Sequence, residues 1–310
     1  VVPFIHPRFD LFGVTLDWWL ILVVLGIAAA TELGRARAIR EGLSVKLTVD
    51  GILFTVGMGF LFGHFVYQIF YNWDRLKDAP KLILPWYGGY ASTGGFLGAG
   101  LGIWLFYVLW KKAPLWAYID NMAIAVTLGW VFGRLGCFTA HDHKGNLTDF
   151  PLAITFPDNW TATVNGQAGT WLGTRHDLGL YEALVALALL SALLILDRRG
   201  KWHHGLYAGL LLVCYAPARF CMEFMRATDL HNSDPRHLGL TPAQYGTFIT
   251  FSLGTWILLY RRGKGRQDIS GEIARDYPAG QVPTPPAASE PDDAPAEAPA
   301  EAPEDAPQAS

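Results

Sequence analysis

The chain has 310 residues, of which 51% are hydrophobic, 14% aromatic and only 16% charged, and its mean hydropathy is +0.23. Those values exclude an ordinary soluble domain and fit a polytopic membrane protein, with 12 Trp available for interfacial belts. The formal net charge of -3 hides an asymmetry, because from Asp268 onward ten acids face one base, Arg275, so the body of the chain is net basic.

Seven apolar runs are long enough to span: Val14–Ala30, Val49–Tyr71, Gly88–Trp110, Ala117–Phe138, Leu178–Leu196, Gly205–Phe224 and Gln244–Tyr260. The expected fold is therefore an all-α bundle of about seven transmembrane helices over residues 1–262. The connections alternate in charge. Arg35, Arg37, Arg40 and Lys46 follow the first run, Lys111 and Lys112 the third, Arg198, Arg199 and Lys201 the fifth, and Arg261, Arg262, Lys264 and Arg266 the last. The positive-inside rule puts these in the cytoplasm, with the N-terminus periplasmic and the C-terminus cytoplasmic. The other connections, 72–87, 139–177 and 227–243, then face the periplasm. Residues 139–177 mix aromatics with Gly and Pro, as in Phe156-Pro157-Asp158-Asn159-Trp160 and Asn165-Gly166-Gln167, which predicts short strands forming a small cap. Residues 267–310 are rich in Pro, Ala and Glu and are expected to be a disordered tail. No cleavable signal peptide is expected.

The 3 Cys, Cys137, Cys214 and Cys221, lie in or beside apolar runs, which argues against a disulfide framework. No C-x-x-C or H-E-x-x-H pattern suggests a metal. Chemistry concentrates elsewhere. Arg134 ends an uncharged run from Met122 to Phe132, and His141, Asp142 and His143 follow it. A guanidinium near membrane depth is costly unless it faces protein, water or an anion, so Arg134 is a candidate for holding a lipid phosphate. Arg219, Glu223 and Arg226 at i, i+4 and i+7 share one helix face, where Glu223 can orient either arginine or merely pin helix packing. Two arginines on different helices could clamp one phosphate. Arg175, His176, Tyr181 and Glu182 crowd the start of the fifth run, a position that favours anions, although Tyr181 and Glu182 also suit a belt residue and a helix N-terminal charge. Gly94, Gly98 and Gly102 repeat at i+4, a close-packing pattern. His141 and His143 are candidate general bases.

Taken in order, these stretches resemble the bacterial prolipoprotein diacylglyceryl transferase family. The similar pieces are Phe4-Ile5-His6-Pro7, Tyr67-Gln68-Ile69-Phe70-Tyr71-Asn72, Gly94-Gly95 with Gly98, Gly133-Arg134-Leu135-Gly136, Arg175-His176 with Leu180-Tyr181-Glu182, Arg219-Phe220 with Glu223-Phe224 and Arg226, and Leu240-Thr241-Pro242-Ala243-Gln244. The resemblance implies a seven-helix inner-membrane enzyme that moves diacylglyceryl from phosphatidylglycerol to the lipobox cysteine thiol of a prelipoprotein signal peptide. It implies catalytic roles for Arg134, Arg219, Glu223, His141 and Asp142. It implies substrate binding by Tyr67, Thr93, Gly94, Gly95, Gly98, His176, Tyr181, Glu182 and Arg226. No cofactor, metal or nucleic acid is expected. The chain departs from the family pattern at Thr93, where the family has histidine, at Cys137, where it has asparagine, at His64, which falls in a Gly-Gly-Arg, and at Asp142, where it has glutamate. His64, His141 or His143 would then replace the family histidine. Alternatively, the chain is a diverged member that binds phospholipid or lipidates another acceptor. A small-anion transporter would require internal inverted repeats, and none is evident.

Overall fold

The computed structural model describes every residue except 12–13, 158–159, 165–166, 171–172, 231–235 and 278–310. Helix α1 spans Trp18–Glu41. Helix α2 spans Val45–Val66 and runs on into a wider π turn over Tyr67–Tyr71. A short α3 covers Trp73–Asp78. Helix α4, Ser92–Ile103, continues as a π turn to Trp110. Helices α5 (Leu115–Ala140), α6 (Leu178–Arg198), α7 (Leu206–Met222) and α8 (Pro242–Arg261) follow. Among the described residues six helices are long and apolar enough to cross a membrane, and they match the first six expected spans. The seventh expected span is helix α8, whose Gln244, Thr247, Thr250, Ser252 and Thr255 dilute its apolar run, so it is not among the six.

Helix ends follow local chemistry. Asp17, Ser44 and Asp177 each accept a backbone N–H in the first turn of α1, α2 and α6, satisfying donors that the helix itself leaves unpaired. Thr241 and Gln244 close a capping box at α8, with Pro242 in its first turn. The first helix departs from expectation at both ends. Val14–Asp17 is not helical but forms strand β2, antiparallel to β1 at Arg8–Leu11. At the other end the helix runs on until Gly42, whose φ of 81° supplies the left-handed C-cap. Arg35, Arg37 and Arg40 therefore lie in the last turns of α1 rather than in a loop.

The segment between α5 and α6 folds into small β structure. Strands β3 (Lys144–Leu147), β4 (Ile154–Thr155) and β7 (Thr174–Asp177) form a sheet of order β3-β7-β4, and β5 (Thr161–Val164) pairs with β6 (Gln167–Thr170). Residues 165–166, between β5 and β6, lie outside the described residues.

Helix α1 packs along α5, α2 along α4, α5 along α6 and α7 along α8. The glycine stripe explains the second pair. A Cβ at Gly94 would sit 2.4 Å from the Phe62 carbonyl oxygen, and one at Gly98 would sit 2.3 Å from that of Met58. Gly179 does the same for α5 and α6, since a Cβ there would lie 2.7 Å from the Phe138 amide nitrogen. That approach brings the next turn of α6 opposite the end of α5.

The expectation of a disordered tail from residue 267 fails at its start. The Gln267 side chain accepts from the Ala117 amide at 3.2 Å. Glu272 is buried and accepts from the Tyr118 hydroxyl at 2.7 Å. Asp276 accepts from the Ser44 hydroxyl at 2.5 Å and the Val45 amide at 2.7 Å, at the N-terminus of α2, where a carboxylate is favoured by the orphan amides and the dipole. Residues 278–310 lie outside the described residues.

Candidate active site

Arg134 leaves α5 one turn and a half before its end and is 7% exposed. Its guanidinium lies over the Trp130 ring, 4.8 Å from the centroid, and the planar cation suits that face. One η nitrogen meets a Glu182 oxygen at 3.0 Å. Glu182 is 1% exposed on the second turn of α6. Its other oxygen lies 3.9 Å from Nε of Arg219 on α7. The Tyr215 hydroxyl, one turn before Arg219, donates to Glu182. Arg219 also pairs with Glu223, which lies 3.8 Å from Nε of Arg226.

The two arginines thus converge on one carboxylate. Two guanidinium charges held together in low dielectric repel each other strongly, and Glu182 offsets them. The fixed carboxylates occupy only part of each five-donor fork, so the remaining N–H groups can meet a further anion.

The cluster continues towards the loop after α5. The other η nitrogen of Arg134 lies 3.0 Å from His143 Nε2 and 4.0 Å from Cys137 Sγ. His143 Nδ1 is 2.5 Å from an Asp142 oxygen. Burial disfavours both charges, but their mutual attraction outweighs it. Asp142 is held below the usual carboxylate range, and His143 is raised to about 9. Next to them, burial brings Lys144 down to about 8. Asp142, His143, Arg134, Glu182, Arg219, Glu223 and Arg226 therefore form one connected cluster of charged side chains, from the loop after α5 through α5 and α6 to the end of α7.

The remaining candidates fall into other places. His141 does not join the cluster. As the α5 C-cap it has φ 52°, which turns its side chain away. It is fully buried, with Nδ1 2.8 Å from Asp177, Nε2 3.1 Å from the Ile5 carbonyl and its ring stacked on Phe4. It pins the N-terminal segment to the β structure. His64 is also fully buried, with its ring nitrogens on the Gly89 and Leu82 carbonyls, so it pins the loop before α4. Arg175 pairs with Asp229 at 2.5 Å. Gly94 and Gly98 face α2 and pack it. Gly95 is half-buried, and Thr93 is exposed in the first turn of α4. That helix reaches the cluster indirectly, through Phe96, whose ring centroid lies 5.3 Å from that of Trp130. Tyr67 lies under Gly89, where a Cβ would fall 2.3 Å from its ring.

His176 and Tyr181 form a separate feature. Their side chains meet at 2.9 Å and, with Phe150, Leu152, Leu184 and Met225, line an open apolar groove of about 340 Å³. Burial lowers the basicity of His176.

Sequence reasoning proposed Arg134, Arg219 and Glu223 as catalytic and Glu182 as substrate-binding, but did not place Glu182 between the two arginines. The signal that could have found it is Gly179 three residues earlier, a small residue where α5 and α6 touch.

Comparison with known proteins bears on this arrangement. A family model described as prolipoprotein diacylglyceryl transferase matches residues 8–260. The phosphatidylglycerol–prolipoprotein diacylglyceryl transferase of Solidesulfovibrio magneticus is 32% identical over 266 residues, covering 83% of this chain and 97% of the relative. The enzyme of the same name from Chromohalobacter salexigens is 34% identical, covering 72% of this chain and 82% of the relative. The match runs through all the elements that carry the buried arginines, and the chain belongs to the prolipoprotein diacylglyceryl transferase family.

Proposed function

We propose that the protein transfers diacylglyceryl from phosphatidylglycerol to the lipobox cysteine thiol of a prelipoprotein signal peptide. The observation that carries this reading is the convergence of Arg134 and Arg219, from separate helices, on the buried Glu182. Glu182 and Glu223 hold the guanidinium planes in place before substrate arrives. The lipid phosphate then takes the free N–H groups. As the bond from glycerol carbon to phosphate oxygen breaks, charge grows on that oxygen, and the preorganised donors stabilise it. Arg226 extends the positive edge beyond Glu223. The groove beside His176 and Tyr181 suits an apolar chain. Thr93 and Gly95 at the start of α4, and Tyr67 at the end of α2, lie where lipid would enter from the side of α4.

The positive-inside pattern supports an orientation in the bacterial inner membrane. Arg35, Arg40, Lys46, Lys111, Arg198 and Lys264 fall at or beyond the helix ends away from the arginine cluster. In this reading those ends are cytoplasmic, the β structure over 139–177 is a periplasmic cap, and α8 is the seventh span. The N-terminus is periplasmic and the C-terminus cytoplasmic.

Incubating the purified protein in phosphatidylglycerol vesicles with a lipobox peptide tests the proposal. The peptide is expected to gain the mass of one diacylglyceryl group. A peptide of unchanged mass, with the protein folded and the lipid present, would refute the reading.

A further inference from the structure

One turn deeper than the two arginines lies a pair of aromatic side chains. Trp130 is at i−4 from Arg134 on α5, and Tyr215 is at i−4 from Arg219 on α7, so each lies one turn below its arginine. Their rings meet edge to face, with centroids 5.9 Å apart. Their polar atoms differ. The Tyr215 hydroxyl is committed to Glu182. The Trp130 indole nitrogen is buried and has no hydrogen-bond partner among the described residues. A buried N–H without an acceptor is costly and rare in folded proteins. An indole nitrogen can only donate, so this position calls for an acceptor oxygen.

The surroundings of the ring point to the lipid side as the source of that oxygen. Phe96 of α4, whose ring centroid lies 5.3 Å from that of Trp130, is 53% exposed. Val126, one further turn from Arg134, is 37% exposed. This face of α5 therefore passes from the outward-facing Val126 through the half-buried Trp130 to the buried Arg134. A Cβ on Gly133, which adjoins Arg134 and follows Trp130 at i+3, would meet nothing within 4 Å outside its own stretch of helix. Open space thus lies beside both the guanidinium and the indole.

We propose that the Trp130 N–H donates to an ester carbonyl of the donor lipid, and that this contact makes the site selective for diacyl over dialkyl glycerophospholipids. The proposal rests on the transferase reading above. With its phosphate on Arg134, the lipid directs its glycerol and esters towards the bilayer centre, where α5 comes from. One helical turn is about 5.4 Å, a spacing that matches the few bonds between a phosphate and the ester on the neighbouring glycerol carbon. Arg134 and Trp130 then read the phosphate and the ester of one molecule together. Tyr215 cannot serve the ester, because its proton is already given to Glu182. The carbonyl takes no part in the cleavage of the C–O bond, so the contact is the same before and during reaction. Trp130 is therefore a binding residue whose N–H acts on KM and not on kcat.

The test uses the full chain in neutral detergent micelles with a lipobox peptide and increasing fractions of phosphatidylglycerol, either ester-linked or as its diether analogue. The analogue keeps the phosphate and both chains but lacks the carbonyls. Wild type is expected to favour the ester lipid by about 3–10-fold in kcat/KM, the usual worth of one hydrogen bond, with the difference in KM. Trp130→Phe keeps a ring beneath Arg134 and removes the N–H. It is expected to bring the two lipids to the same value by raising KM for the ester lipid alone. The ratio of the two lipids is the readout, because a weaker hold of the ring on Arg134 acts on both alike. The benzothienyl isostere of tryptophan at position 130, which keeps the full ring shape and lacks only the N–H, is expected to give the same result if phenylalanine disturbs folding. Equal use of the two lipids by wild type overturns the proposal while transfer upholds the transferase reading. So does an ester preference that survives in both variants. Wild type that modifies the peptide with neither lipid overturns the transferase reading as well.

Discussion

Glu182 is the residue on which the buried charges depend. It is 1% exposed and meets Arg134 from α5 and both Arg219 and Tyr215 from α7. Removing one partner from a buried ion pair leaves an uncompensated charge and costs about 3–5 kcal/mol. Glu182→Ala is therefore expected to lower the thermal midpoint of the purified protein strongly. Arg134→Gln combined with Glu182→Gln removes both charges and should recover part of that loss without recovering transfer. A double variant no more stable than Glu182→Ala would contradict the pairing. The individual residues were unevenly legible in the sequence. Arg219 and Glu223 share a helix face by spacing alone, and Arg134 stood out as a charge closing an apolar run. The choice between His141 and His143 was not legible. It turns on the left-handed backbone of one helix-capping residue, which directs His141 into the Asp177 contact and leaves His143 to Arg134.

At the scale of elements, the apolar runs located the helices because every span must satisfy its backbone internally in lipid. Their ends were less legible. The extension of α1 to Glu41 depends on Gly42, and the strand at Val14–Asp17 depends on a partner earlier in the chain. The docking of residues 268–277 left no trace in composition, because its polar side chains are satisfied by groups distant in sequence, Tyr118 and the amide of Val45. That docking makes two truncations differ. Ending the chain after Gln267 removes Glu272 and Asp276, and with Asp276 goes a carboxylate at the α2 N-terminus, a type of contact worth about 0.5–2 kcal/mol. The thermal midpoint should fall. Ending it after Tyr277 keeps both and should leave the midpoint within error of the full chain. Identical midpoints for the two truncations would contradict the docking.

For the whole molecule, the arrangement of α5, α6 and α7 puts the arginine cluster at the end of the bundle that carries the β structure, away from the basic helix ends. If the positive-inside pattern sets the orientation, single cysteines introduced at exposed positions such as Asp149 should react with a membrane-impermeant reagent in intact cells. Those at Arg199 should react only after lysis. Reversed labelling would place the cluster on the wrong side for a secreted acceptor. The central claim, that Arg134 holds the phosphate of the lipid donor during transfer, has a more direct test. Release of glycerol phosphate, matched to lipidated peptide formed, is measured for wild type and Arg134→Lys under saturating phosphatidylglycerol. Lysine keeps the charge but loses the planar fork, so the account predicts that both products fall together by about 10²-fold or more. Release at the wild-type rate by the lysine variant would contradict it.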